Sequence, residues 1–198
     1  MRTITRTYDL FQLAELSAAA RDTAYNEWLR TFEYGWDSDN RNTLEAFESV
    51  FKVKVNDWSY DTCRYSYRFT SRYSGKEEEL CGIRLLKYIV NNYWHILFKP
   101  KTYYLKGNFN KQRRSRIFTD NCCVLTGYCA DEDILKPIYH FLNSPDTDTT
   151  LYDLMDKCLD SFFKSCRDDM EYHCSEECFE ESCEANKYEF LENGKMYN

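Results

Sequence analysis

His173, Cys174, Cys178 and Cys183 fall at Cys174-x3-Cys178-x4-Cys183 spacing, which would place thiolates and an imidazole on successive turns of a helix. Cys122, Cys123 and Cys129 form a second group. Thiolate and imidazole suit zinc, but structural zinc takes its ligands in pairs from tight CxxC-type loops that aim two sulfurs at one tetrahedral ion. Neither group has such a loop, and the acidic stretch around Cys174 has no Gly or Pro to form one. Reduced cysteine also packs as a small apolar residue. The expectation is ten free thiols, no metal and no other cofactor. A nucleophilic Cys–His pair would have to use His95, His140 or His173, none of which lies in a nucleophile motif. His95 sits in an apolar helical run and reads as a core residue, and His140, between Tyr139 and Phe141, reads as structural. Asp131-Glu132-Asp133 and Asp168-Asp169 are carboxylate pairs or triplets at expected helix starts, where the dipole alone attracts acids. No P-loop, GxGxxG, HExxH or GxSxG pattern occurs. The chain is not expected to be an enzyme.

Charge is the more informative chemistry. Lys99, Lys101, Lys106, Lys111, Arg113, Arg114 and Arg116 form a segment with seven basic residues and no acid. From Asp120 onward nineteen Asp/Glu face six Lys/Arg, while residues 1–98 are almost neutral. The net charge of −7 therefore hides a basic segment joined to an acidic third, a polarity suited to meeting a charged macromolecule. Tyr103, Tyr104, Phe109 and Phe118 interleave with the basic side chains, so phosphates could be neutralised while rings stack on bases. Against a dedicated nucleic-acid binder stands the pI near 5.1. A short charge run is also commonly just a solvated hairpin. The acidic helices, including Asp131, Glu132 and Asp133, could imitate a phosphate backbone and occupy the basic channel of a nucleic-acid enzyme, or simply be solvated faces. Both segments are candidate partner-binding residues.

The elements that must carry these groups follow from periodicity. Arg2–Tyr8 alternates as a first strand, and Ser17 is placed to cap a helix whose Ala20, Ala24 and Trp28 share a face. Asn42 or Thr43 would cap a second helix, with Leu44, Phe47, Val50 and Phe51 inward. Val53, Val55, Trp58 and Tyr60, then Tyr65, Tyr67 and Phe69, read as paired strands. Glu77–Phe98 is a broadly apolar helix, Gly82 included, predicted to cross the core and bury Ile89 and Trp94. Pro100 ends it. Thr102–Lys106 and Arg116–Phe118 would pair as a hairpin displaying the basic cassette, with Gly107-Asn108 near its tip. Three helices follow, Asp131–Leu142, Leu151–Arg167 and Asp169–Glu184. The class is α+β: an N-terminal strand-helix-helix-strands unit, a long central helix, a basic hairpin and a helical C-terminal third. One domain over 1–198 is expected, with lobes 1–98 and 99–198 as its natural subdivision.

The composition fits that class. A 43% apolar fraction sustains a core, and the 17 Tyr and 13 Phe offer rings that both pack and reach a partner. With no charged-then-apolar leader and no run of about 18 apolar residues, a cytoplasmic protein without a membrane span is expected.

Leu16–Ala24, Leu125-Thr126-Gly127-Tyr128, Asp131–Phe141 and Glu184–Gly194, in that order, resemble a widespread group of small proteins encoded by phages and prophages, sometimes labelled antitoxin-like. The resemblance covers both ends and the last third, less clearly the middle, and the Cys-rich last third departs from the pattern. Its motifs look structural and carry no catalytic residues. What it implies is an anti-defence role in the cytoplasm of a bacterial host cell. The specific expectation is a stoichiometric inhibitor of a CRISPR nuclease of the Cas9 type, binding the effector or its guide complex and blocking guide loading, target DNA engagement or cleavage. The alternative is a DNA-binding regulator or antitoxin-like protein that uses the basic 99–116 segment on nucleic acid.

Overall fold

A computed structural model describes residues 2, 4, 6–98, 100–105, 108–119 and 123–197, with 100–105 and 108–119 described as backbone. The protein is α+β. Its chain forms two compact units: a terminal unit of Met1–Gly35 with Asp168–Asn198, and a middle unit of Trp36–Arg167. The divisions between the units fall at Gly35/Trp36 and Arg167/Asp168.

In the terminal unit α1 (Ala18–Thr31) starts where Ser17 Oγ accepts from the Ala20 amide. Ala20 and Ala24 are buried with Leu16, and with Phe179 and Cys183 of α7 (Glu176–Asn186) and Phe190 beyond it. Trp28 is half-buried, stacked among Tyr25, Phe32 and Phe179. Lys187, left-handed at φ 54°, ends α7 by donating its amide to Cys183 and Glu184 carbonyls. Phe11 and Phe190 exchange two backbone hydrogen bonds at 2.9 Å. The tail then turns back at Gly194, whose φ of +83° and seat against Ala20 leave no room for a Cβ. The strand expected over Arg2–Tyr8 is absent from its described residues. Among the described residues of this N-terminal segment pairing is confined to Phe11, and Ile4 and Tyr8 stay 69% and 49% exposed, so they bury no face.

In the middle unit α2 (Asp37–Val50) begins five residues before the expected caps Asn42 and Thr43, with Asp37 and Asp39 in its first turn. Thr43 is buried mid-helix and spends its hydroxyl on Thr126 and Asp131. Strands β1 (Val53–Tyr60) and β2 (Tyr65–Ser71) pair antiparallel, with a bulge at Asn56 between the Val55–Phe69 and Asp57–Arg68 pairs. That extra residue moves the inward face from Val53 and Val55 to Trp58 and Tyr60.

The expected helix Glu77–Phe98 is two helices, α3 (Gly75–Glu78) and α4 (Gly82–Leu97). Between them Cys81 bridges to Thr150, and the Leu151 amide donates to the Leu80 carbonyl at 2.9 Å. Gly82 opens α4 at φ +55°, a left-handed conformation that glycine adopts without strain. Leu85, Ile89, Tyr93 and Leu97 are buried along one face. Trp94 is 42% exposed and Ile83 68%, and His95 is exposed as well, so α4 does not cross the core.

Strands β3 (Pro100–Leu105) and β4 (Asn108–Thr119) form the second antiparallel pair, a longer hairpin than expected, with Thr102 opposite Arg114 and Tyr103 opposite Arg113. α5 (Ala130–Asn143) carries Pro137 inside it. α6 (Leu151–His173) runs through the expected break at Arg167-Asp168-Asp169, which contains no Gly or Pro, and the chain turns instead at Cys174-Ser175. Leu151, Leu154, Met155, Cys158, Leu159, Phe162, Phe163 and Cys166 repeat at three- and four-residue steps and are all buried.

Candidate functional site

Cys178 Sγ lies 3.9 Å from His173 Nδ1, and His173 Nε2 lies 3.6 Å from Asp169 Oδ1, while the Tyr34 hydroxyl donates to the other oxygen, Asp169 Oδ2, at 2.6 Å. The order Cys–His–carboxylate is that of a nucleophile relay, but both separations exceed the reach of about 2.6–3.2 Å for proton transfer. Cys183 is buried, and burial with Glu180 nearby pushes its thiol up to about 11. Cys158 is fully buried in the middle unit and its thiol is pushed up by that burial. Both therefore pack as apolar residues. Among the described residues every cysteine is a free thiol, and no three His, Cys, Asp or Glu converge as a metal site. Cys122 lies outside the described residues. His140 is exposed on the last turn of α5.

The acidic triplet opens α5 but is not a shared surface. Asp131 is 0% exposed. Its carboxylate accepts from the amides of Leu125, Thr126 and Gly127 at 2.8, 2.7 and 3.1 Å, and from the hydroxyls of Thr126 and Thr43 at 2.8 and 3.2 Å. It organises the Leu125-Thr126-Gly127-Tyr128 turn and cannot face a partner. Asp133 is half-buried and tied to α6: Ser165 donates to its carboxylate at 2.7 Å and Ser161 to its carbonyl at 2.8 Å. Glu132 alone of the three is exposed.

The tyrosines of β1 and β2 are likewise engaged within the middle unit. Tyr60 donates to Asp37, Tyr65 to Asp160 and Tyr67 to Asp156, at 2.8, 2.7 and 2.9 Å. Burial, then the aspartate, holds the Tyr67 phenol well above its ordinary range, so it remains a donor. Arg167 lies over the Tyr65 ring and Arg41 over Trp58. These rings fasten the sheet to α2 and α6.

The basic cassette maps onto the second hairpin. Lys101 stands on β3, and Lys111, Arg113, Arg114 and Arg116 on β4. Lys99 and Lys106 lie outside the described residues, as do the side chains of the other five. Charge also divides by unit. The terminal unit holds 15 Asp/Glu and 6 Lys/Arg, a net −9, and the middle unit 18 and 20, a net +2.

No protein-family model, curated protein or solved structure matches this chain.

A surface that sequence reading missed lies on α4. Ile83, Val90 and Trp94 are exposed at i, i+7 and i+11, with Lys87 between them, all within about 60° of the helix circumference. The apolar residues of α4 covered both faces, a pattern that reads as a core-crossing helix unless one face is known to be bare. Among the described residues no helix is long and apolar enough to cross a membrane.

Proposed function

We propose that this chain acts by stoichiometric binding to a charged macromolecular complex and performs no chemistry of its own. The observation that carries this reading is the partition of charge between the units, −9 against +2, together with the absence of any acid from Leu80 to Thr119 beside nine Lys/Arg. Opposed fields on one molecule steer it onto a partner that also displays both signs, such as a nuclease loaded with its guide. With the resemblance to phage and prophage accessory proteins, the specific form is an anti-defence inhibitor of a CRISPR nuclease of the Cas9 type. It would act in a bacterial cytoplasm by obstructing guide or target DNA engagement or cleavage.

The test is a cleavage assay with guide-loaded nuclease titrated with the chain. Inhibition should saturate at one equivalent. Joint Lys111→Glu, Arg113→Glu, Arg114→Glu and Arg116→Glu replacement should abolish it while thermal unfolding stays unchanged. Full cleavage at excess inhibitor across a panel of such nucleases would remove this reading.

The basic hairpin favours a second reading, a DNA-binding regulator or antitoxin-like protein. That protein would bind naked duplex or single-stranded DNA with affinity falling steeply in salt. The inhibitor would ignore naked DNA and co-elute with the loaded nuclease.

A further inference from the structure

The exposed ridge of α4 is left uncovered by the described residues of the middle unit. The helix buries Leu85, Ile89, Tyr93 and Leu97 on one side and turns Ile83, Lys87, Val90 and Trp94 to solvent on another. Ile83, Val90 and Trp94 are 68%, 37% and 42% exposed. Single exposed apolar residues are ordinary, but three aligned over about 16 Å of helix form a continuous apolar strip. At its C-terminal end Trp94 stacks on Phe98 at 4.1 Å between ring centroids, which fixes the indole against the helix end.

We infer that this ridge is a docking surface for an acidic amphipathic helix of a partner protein. The i, i+4, i+7, i+11 spacing is that of a ridge that packs against a second helix. Charge sets the sign of that helix. Arg84 and Lys87, both exposed, are the Lys/Arg of α4, and the sequence from Leu80 through the second hairpin to Thr119 carries nine Lys/Arg and no Asp/Glu, the nearest carboxylates in sequence being Glu77, Glu78 and Glu79 ahead of α4. A partner helix with Leu or Ile on one face and Glu or Asp flanking it would cover the apolar strip and pair with both cations.

The other occupants fit less well. A second copy of α4 would bring Arg84 and Lys87 against the same cations. The acidic helix α7 of a second copy already buries its Phe179 and Cys183, which leaves carboxylates and small side chains but no large apolar residue to cover the strip. A nucleic acid would need stacking platforms, whereas Ile83 and Val90 are aliphatic and one face of Trp94 is already taken by Phe98. The inference deepens the binding reading by naming the chemistry of the partner.

The experiment uses the full chain and a fluorescein-labelled helical peptide with Leu at i, i+4, i+7 and i+11 and Glu on both flanks. Anisotropy should show saturable binding. Joint Val90→Ser and Trp94→Ser replacement should weaken it at least about tenfold with cooperative thermal unfolding retained. Lys87→Glu should weaken the Glu-flanked peptide and strengthen a Lys-flanked version. Three results would overturn the inference: no saturable binding, binding indifferent to Val90 and Trp94, or a dimer in sedimentation that Trp94→Ser dissolves. Binding of a single-stranded oligonucleotide that requires Trp94 would overturn it too, in favour of a nucleic-acid surface. The peptide assay needs no nuclease, so peptide binding without inhibition removes only the functional reading. Inhibition that survives loss of the ridge removes only the docking surface.

Discussion

Ser161 donates its hydroxyl to the carbonyl of Asp133 at 2.8 Å, the acceptor that Pro137 leaves without a helical donor. Proline has no N–H and in a helix interior strands the carbonyl four residues before it. Here α6 supplies the missing donor, which lets α5 continue through Pro137 to Asn143.

Replacing Ser161 with Ala should cost about 1–2 kcal/mol, because a carbonyl loses its only donor of that kind. In a Pro137→Ala background the residue at 137 regains its N–H, and the same Ser161→Ala change should become nearly neutral. A double-mutant cycle by urea unfolding measures the coupling. Equal costs in both backgrounds would show that Ser161 does not act through this carbonyl.

The Asp131 carboxylate satisfies three backbone amides and two threonine hydroxyls at a fully buried position. Asp131→Ala should therefore lower stability by about 3 kcal/mol or more, since those donors would lose their acceptor together. Glu132→Ala next to it should change stability by less than about 0.5 kcal/mol. Chemical denaturation of both variants checks the contrast.

Two glycines with positive φ separate strain from crowding. A Cβ at Gly194 would lie 2.0 Å from the Ala20 carbonyl oxygen, whereas nothing stands within 4 Å of one at Gly127. Gly127→Ala should cost about 1–2 kcal/mol for its backbone conformation alone. Gly194→Ala should cost more than that and shift α1 and the C-terminal tail. Thermal unfolding ranks the pair.

Glu77 sets an acid limb of stability. Its carboxylate accepts from the Ser74 amide first, then from the Tyr88 and Ser74 hydroxyls, and is drawn from 4.5 down to about 2. The folded value lies below the unfolded one, so this contribution is complete above about pH 4.5 and fades as pH falls towards 2. Unfolding titrations of wild type should show that decline, and Glu77→Gln should flatten it. An unchanged slope in the variant would remove Glu77 as its source.

Neighbours on α4 differ sharply in burial. Ile89 is 1% exposed and Val90 37%. Ile89→Asp should abolish cooperative folding by burying an unpaired charge, while Val90→Asp should stay within about 0.5 kcal/mol of wild type. A soluble, cooperatively melting Ile89→Asp protein would contradict the placement of this helix.

Local rules were legible in the chain. Ser17 caps α1 because an N-cap needs only its own side chain and the amide three residues on. The apolar repeat from Leu151 to Cys166 declares the buried face of α6. Even the bulge at Asn56 was written in the three-residue gap between Val55 and Trp58, where a regular strand would keep steps of two. Positions that depend on distant partners were misread. Trp94 and His95 looked like core because nothing in a helical period says which of two apolar faces meets the protein. Arg2–Tyr8 alternates, yet a strand requires a neighbour, and among the described residues there pairing reaches only Phe11.

By itself the sequence determined the composition of charge, the Ser17 cap, the two hairpins and the apolar repeat of α6, all of which depend on residues close together along the chain. Tertiary structure decided where that charge resides, because the near-neutral first 35 residues fold with the acidic last 31 into a unit of net −9. It also turned Asp131 from a surface acid into a buried acceptor and left Ile83, Val90 and Trp94 in water. Burial and hydrogen-bond satisfaction are properties of what packs around a residue, and those neighbours come from remote parts of the chain.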